Sequence, residues 1–310
     1  MPDVVVHASF GKEVLETLSP ACSADILPEI YTFGLFGPDV WFLYQPWKRR
    51  EGRGRWMHTT RTGDFLAALA KRGKAGACPR EMFSYLAGFL CHYALDSTTH
   101  PYIIYRTTEE FHYPRCHTAF EHSLDQCQMT RDGVWGERHP ITAYYMPELR
   151  LPQVMGADLD AVYQEVYGWK NVLKAMNISY ARFRGAYRII ENPRGFGARL
   201  ARITRSGVLK GFVYSESPFS GVDVENLAHA PWHHSHEASE IHTESFPELR
   251  ERAVALASRL ITAAHDYFRS ERVSLEELKK LMGNNSYLSG LPMGDPRNRN
   301  VPSLLPPSMS

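Results

Sequence analysis

The chain has 310 residues, 44% of them hydrophobic and 22% charged, with a formal net charge of +1. This is an ordinary globular composition with enough chain for a sizeable core. The near-zero charge gives no electrostatic reason to expect a stable nucleic-acid complex, and no run approaches the ~18 apolar residues of a membrane span.

In chain order, the opening MPDVVVHASFGKEV lacks a basic n-region and holds only three consecutive valines, so it does not read as a signal peptide. The five cysteines (Cys22, Cys78, Cys91, Cys116 and Cys127) are odd in number and form no CxxC pair. They point to a reducing compartment rather than a disulfide framework, and the chain is expected to be soluble and cytoplasmic. GLFGPDVWF at 34–42 is punctuated by Gly and Pro around Asp39 and reads as a loop. KRREGRGR at 48–55 reads as a solvated basic loop, with phosphate recognition as the sharper alternative.

FLAALAKR at 65–72 and MFSYLAGFLCHYAL at 82–95 are uninterrupted apolar helices. Residues 157–191 hold one long helix or two, with Val162, Val166, Trp169, Val172, Leu173 and Met176 at helical spacing. Residues 206–241 are rich in Ser, Pro, Gly and His and show no clear helix. An amphipathic helix follows at 243–268, with Thr243 or Ser245 as its cap and Pro247 in its first turn. Convincing strands are scarce. The predicted fold is all-α: one multi-helix domain over 1–282 and a proline-rich, loosely held tail over 283–310.

The chemistry sits on the helices. His92, Asp96 and His100 recur at every fourth position, one helical turn plus a small rotation. The helix carrying them reads as buried, so its polar residues need partners or a ligand. Pro101 disfavours helical geometry at His100, which is therefore expected to leave the axis and face a different centre. His117, Glu121 and Asp125 repeat the spacing. Three single residues, His7, Asp39 and His58, lie upstream.

A divalent ion in a nitrogen and oxygen site takes three or four protein donors, so these nine residues suit two or three ions. A lone helical His–acid pair is ordinarily a surface or cap feature; the repetition within 92–125 is what points to metal. Asp125 is either a partner of a ligating histidine or a surface acid. His229, His233, His234, His236 and His242 are irregularly spaced and read as a lid or as supporting partners of a site, less as ligands. His112, His122 and His139 read as structural, and Cys91 and Cys116 as small buried hydrophobes.

The pattern FSYLAGFLCHYALDSTTHPY followed by FHYPRCHTAFEHSLD resembles the zinc-dependent phospholipase C family. More distantly it is similar to the fungal single-strand nucleases that share its fold. By motif the resemblance covers residues 1–130, and the stretches NLAHAPW and ESFPEL look like the intracellular branch. The resemblance implies a helical fold with clustered zinc ions. Asp39, His58, His92 and Asp96 would hold the first. His100, His117 and Glu121 would hold a second, more open ion, and His7 with a bridging Asp96 a third. Asp39 would also position or deprotonate the attacking water.

Two departures bear on this. Secreted relatives begin, after processing, with a tryptophan that completes the third site, where this chain has Met1; two ions are therefore expected. His100 also follows Asp96 by a shorter step than in the secreted enzymes. The implied function is a phospholipase C-like phosphoester hydrolase using metal-bound hydroxide for in-line attack on phosphorus, with Arg53 or Arg55 assisting. Its substrate would be a phosphoester small molecule or a phospholipid headgroup. The alternatives are a nuclease or soluble phosphodiesterase on the same fold, and a non-catalytic metal-stabilised binding scaffold. Trp41, Phe42, Tyr44 and Trp47 would line the core or cleft in the first case and stack bases in a nuclease.

Overall fold

A computed structural model of the chain describes residues 3–44, 52–110, 116–192, 221–270 and 272–299, with 195, 198–200, 203, 213, 214 and 219. His112, Trp47 and residues 300–310 of the expected tail lie outside the described residues, as does the side chain of Cys116. Helices dominate: α1 (Val4–Thr17), α2 (Pro20–Ala24), α3 (Pro28–Leu35), a 3-10 helix over Gly37–Leu43, α4 (Arg53–Thr59), α5 (Thr62–Ala75), α6 (Pro79–Tyr105), α7 (Cys116–Arg131), α8 (Pro140–Tyr144), α9 (Gly156–Tyr167), α10 (Val172–Ile190), α11 (Phe246–Arg269) and α12 (Leu275–Met282). One antiparallel ribbon, β1 (Trp232–His234) with β2 (Glu237–His242), pairs Trp232 with His242. The expected all-α class holds.

Helix α6 is the axis of the molecule. It is buried on nearly every side, packed by α11, α3, α5 and α1. Leu86, Phe89, Leu90 and Leu95 are fully buried, each worth about 1.5–3 kcal/mol relative to exposure. Helix α11 begins in a capping box: Ser245 and Glu248 each bond the other's backbone N–H, and Pro247 lies in the first turn, as the sequence predicts. Residues 157–191 resolve into two helices. Gly168 and Asn171 take left-handed conformations between α9 and α10, which a continuous helix does not allow.

Two expectations change. Pro101 does not end α6, which runs through it to Tyr105. The surrounding packing outweighs the lost backbone bond of a proline inside a helix. Residues 283–299 are not loose either: Tyr287 and Ser289 are buried, and Tyr93 Oη donates to the Met282 carbonyl at 2.8 Å. No helix among the described residues is long and apolar enough to cross a membrane.

Candidate metal centre

Four elements meet over the middle of α6. His92, Asp96 and His100 come from α6, His7 from α1, Asp39 from the 3-10 helix, His58 from α4, and His117 and Glu121 from α7. Gly37 sets the approach of the 3-10 helix. Its φ is +43°, and a Cβ there would lie 2.5 Å from Cγ of the His92 ring. Only glycine lets the chain turn this close to that imidazole.

Among the described residues, three groups bring potential ligand atoms within 4.8 Å of one another: His7, His92 and Asp96; Asp39, His58 and His92; and His100, His117 and Glu121. All eight residues expected from the sequence as ligands fall into these groups. Asp125, the ninth candidate, does not. Its buried carboxylate accepts the Val5 and Val6 backbone N–H groups at 3.2 and 2.9 Å and the Tyr214 hydroxyl at 2.8 Å. It thereby anchors the start of α1 and so helps aim His7. His122, from the preceding turn, pairs with Asp3 at 2.8 Å, and Asp3 caps α1.

Asp96 is the hub. Its Oδ1 lies 3.3 Å from His7 Nε2 and 3.8 Å from His100 Nδ1; its Oδ2 lies 3.1 Å from His92 Nε2 and 3.8 Å from His58 Nε2. His58 Nε2 is 3.3 Å from Asp39 Oδ1, and His117 Nε2 is 2.9 Å from Glu121 Oε1. His100 does face the second group, with Nε2 3.8 Å from Glu121, yet it stays in the helix. Each step of four residues rotates about 40° around a 3.6-residue helix, and two steps turn His100 away from His92 without a break.

The ring hydrogens can be assigned. His92 Nδ1 lies 3.0 Å from the Leu35 carbonyl and His58 Nδ1 2.7 Å from the Gly54 carbonyl. A carbonyl only accepts, so both rings carry their proton on Nδ1 and turn a lone pair on Nε2 toward the centre. His117 Nδ1 lies 3.4 Å from the Thr107 hydroxyl, whose own proton goes to the Ile103 carbonyl at 2.7 Å. Carbonyl or hydroxyl partners on the outer nitrogen are what metal-bound histidines use.

The inward-facing atoms lack such partners. Asp96 Oδ1 and Oδ2, Asp39 Oδ1, Nε2 of His7, His58 and His92, and both nitrogens of His100 are buried without a hydrogen bond. An unsatisfied buried polar group costs about 1–3 kcal/mol, so a set of eight needs an occupant. The 3.1–3.8 Å spacing around Asp96 also suits one. Donors ~2.1 Å from a tetrahedral zinc stand roughly 3.4 Å apart. The nitrogen and oxygen donor set fits zinc.

Burial favours an uncharged Asp96, but the fields of His92 and His100 outweigh it and hold the carboxyl well below its usual range. Burial pushes His7 and His100 down, His100 strongly. His92 goes the other way, the charges of Asp96 and Asp39 outweighing its burial and raising it. A divalent ion needs the carboxylate charged and the imidazoles neutral, so its binding would displace a proton there.

Around it, Phe42 stacks on His58 at 5.4 Å between ring centres and is 39% exposed. Trp41 is buried, as expected for a core residue. The Arg53 guanidinium lies 4.5–4.8 Å from the ring centres of Trp41, Tyr44 and Trp169. That cage ties α4 to the 3-10 helix. In the His-rich ribbon, His234 Nε2 bonds the Ser289 carbonyl at 2.9 Å and the Ser235 hydroxyl meets His236 Nδ1 at 2.8 Å. None of these histidines joins a metal group among the described residues. Thr107 and Tyr287, which touches His58 and His92, carried no signal in the sequence.

No curated protein and no solved structure gives a significant match to this chain. The family model described as zinc dependent phospholipase C matches residues 6–181, more than half of the chain and a span that includes all eight metal-ligand candidates. With that span and this geometry together, the chain belongs to the zinc-dependent phospholipase C family.

Proposed function

We propose that the protein is a zinc-dependent phosphodiester hydrolase of phospholipase C type, acting in the cytoplasm on a phospholipid headgroup or a soluble phosphodiester. The observation that carries this is Asp96, fully buried among four imidazoles with neither oxygen hydrogen-bonded. The cytoplasmic placement rests on the cysteine usage alone.

Two ions are proposed. His92 has one free lone pair, because its Nδ1 proton is committed to Leu35, so it serves one ion and not two. Given to the Asp39–His58 group, with Asp96 Oδ2 as fourth donor, it completes one four-donor site. His100, His117 and Glu121 supply three donors for a second. His7 and Asp96 Oδ1 remain, a set of two. The three-donor site leaves a coordination position for water or substrate, as catalytic zinc sites do. His117 is also the partly exposed member of that site, its side chain 24% accessible.

Bound zinc lowers the pKa of a water ligand and neutralises charge on phosphoryl oxygens. The chain's residues supply the rest. Asp39 offers its second carboxylate oxygen to the proton of the attacking water. The water oxygen bonds to phosphorus as the bond to the leaving alcohol breaks, and the departing alkoxide takes a proton from solvent. Asp96, held charged by its histidines, spans both donor sets and fixes their separation. Phe42, stacked on His58 and partly exposed, lies between that donor and solvent.

The partly exposed Phe42 ring also gives a second reading some support, since a flat apolar face beside the donors suits a nucleobase. The test is metal content of the purified chain by plasma mass spectrometry, beside hydrolysis of a chromogenic phosphodiester, phosphatidylcholine and a dinucleotide. Close to two zinc equivalents and turnover abolished by chelator and restored by zinc are expected. Preference for the dinucleotide would favour the second reading. Tightly held metal without turnover on any phosphoester would overturn both in favour of a binding scaffold.

A further inference from the structure

The loop after α12 returns to the metal centre. Tyr287 is 1% exposed, and its ring centre lies 5.2 Å from that of His58 at 63° and 5.8 Å from that of His92 at 55°. These are the two imidazoles whose outer nitrogens bond backbone carbonyls. Each ring also has a stacked neighbour on one face, Phe42 on His58 and His7 on His92, which limits tilting but not rotation within the stacking plane. Tyr287 approaches both rings from a further side, across the stacking direction, and so removes that remaining freedom; edge-on or tilted aromatic pairs contribute ~0.5–1.5 kcal/mol each.

The loop is built to hold this tyrosine. It closes on itself, Met293 N–H bonding the Asn284 carbonyl at 2.8 Å and Ser286 N–H the Leu291 carbonyl at 2.8 Å. It is fastened to the body at three places. Tyr93 Oη accepts from Asn285 N–H at 3.2 Å, Asn284 Oδ1 accepts from Gly63 N–H at 2.8 Å, and the Ser289 carbonyl accepts from His234 Nε2 at 2.9 Å. Gly290, at φ +67°, lies against the Ser97 carbonyl of α6, where a Cβ would collide. The whole loop lies outside the span that the family model matches.

We propose that residues 284–293 form a strap that completes the metal centre, with Tyr287 as the positioning residue that fixes the ring planes of His58 and His92. This rests on the metal-centre reading above. The aromatic edge, not the hydroxyl, does the positioning. Loss of a group that orients a metal ligand typically lowers affinity ~10–100-fold.

The test is titration of the metal-free full-length chain with cobalt(II), following the visible bands and the helical circular dichroism. Tyr287→Phe is expected to match the wild type in affinity and spectrum. Tyr287→Leu, similar in bulk but without a ring, is expected to weaken one cobalt equivalent ~10–100-fold and shift its bands, with the other equivalent and the helical signal unchanged. Asn284→Ala, which removes one fastening at an exposed position, is expected to weaken the same equivalent several-fold, and it decides the matter if the leucine variant does not fold. Wild-type binding in both Tyr287→Leu and Asn284→Ala would overturn the strap. So would a phenylalanine variant as weak as the leucine one, because the hydroxyl would then be the active part. Failure of the wild type to take up cobalt would instead sink the metal-centre reading and the strap with it.

Discussion

Asp96 Oδ2 lies 3.1 Å from Nε2 of His92, both side chains fully buried, and the two atoms share no hydrogen bond. The proton of His92 is on its other nitrogen, so two lone pairs face each other across this gap. That is repulsive unless a proton or a metal cation lies between them, and Asp96 and Asp39 together draw positive charge to this place, raising the pKa of His92. Asp96→Asn keeps the shape but gives up the anion that spans both donor sets. It should weaken zinc binding by more than about 100-fold, beyond the loss seen for groups that only orient a ligand, and abolish turnover. Isothermal titration with zinc checks this; wild-type affinity in the variant would overturn the hub role.

His92→Ala and Glu121→Ala should separate the two sites. The first removes a donor of the Asp39–His58 group, the second a donor of the His100–His117 group. Each variant should retain about one ion equivalent, keep its helices and lose activity. Metal analysis after dialysis reads the result. Loss of both ions in each variant would mean the sites form only together, and full activity in either would dismiss the hydrolase assignment.

Gly37→Ala should damage binding more than folding. The left-handed backbone costs an alanine about 1–2 kcal/mol, and its methyl would press on the His92 ring. Thermal melts with and without zinc should show a modest drop in the metal-free protein. The stabilisation by zinc should shrink severalfold. Equal shifts in both melts would put the effect in the backbone alone.

Away from the centre, Asp25 joins α2 to α11. Its carboxylate accepts from Arg269 Nε at 2.6 Å and from His265 Nε2 at 2.9 Å. The Arg269 hydrogen bond, against some burial, holds its pKa below the ordinary 3.8. A lowered carboxyl pKa stabilises the fold above the unfolded value, and that contribution disappears as pH falls from 3.8 through the folded value. Asp25→Asn should therefore cost up to about 1 kcal/mol at pH 7, discounted for its partial exposure, and clearly less at pH 2. Urea unfolding at the two pH values measures the difference; an equal cost at both would show that charge is not the cause.

The sequence by itself determined the helical class and the two donor stripes. His92–Asp96–His100 and His117–Glu121 were legible because a helix places every fourth residue on one face, a relation that needs no tertiary information. It left one helix or two open over 157–191, without locating the break, and named Thr243 or Ser245 as the cap of the helix at 243–268. His7, Asp39 and His58 carried no spacing of their own; only their order in a resemblance named them.

Tertiary structure decided what periodicity cannot express. Packing of α1 and the 3-10 helix against α6, and of α4 on the 3-10 helix, brought those three single residues to His92, and the packing kept α6 helical through Pro101 against a local preference. It also turned Asp125 from a candidate ligand into the anchor of α1. Residues read as a loose tail became the strap that brings Tyr287 to His58 and His92. Such contacts join parts of the chain far apart in sequence. Their free energy comes from burial and shape rather than from any local repeat, so no single stretch records them.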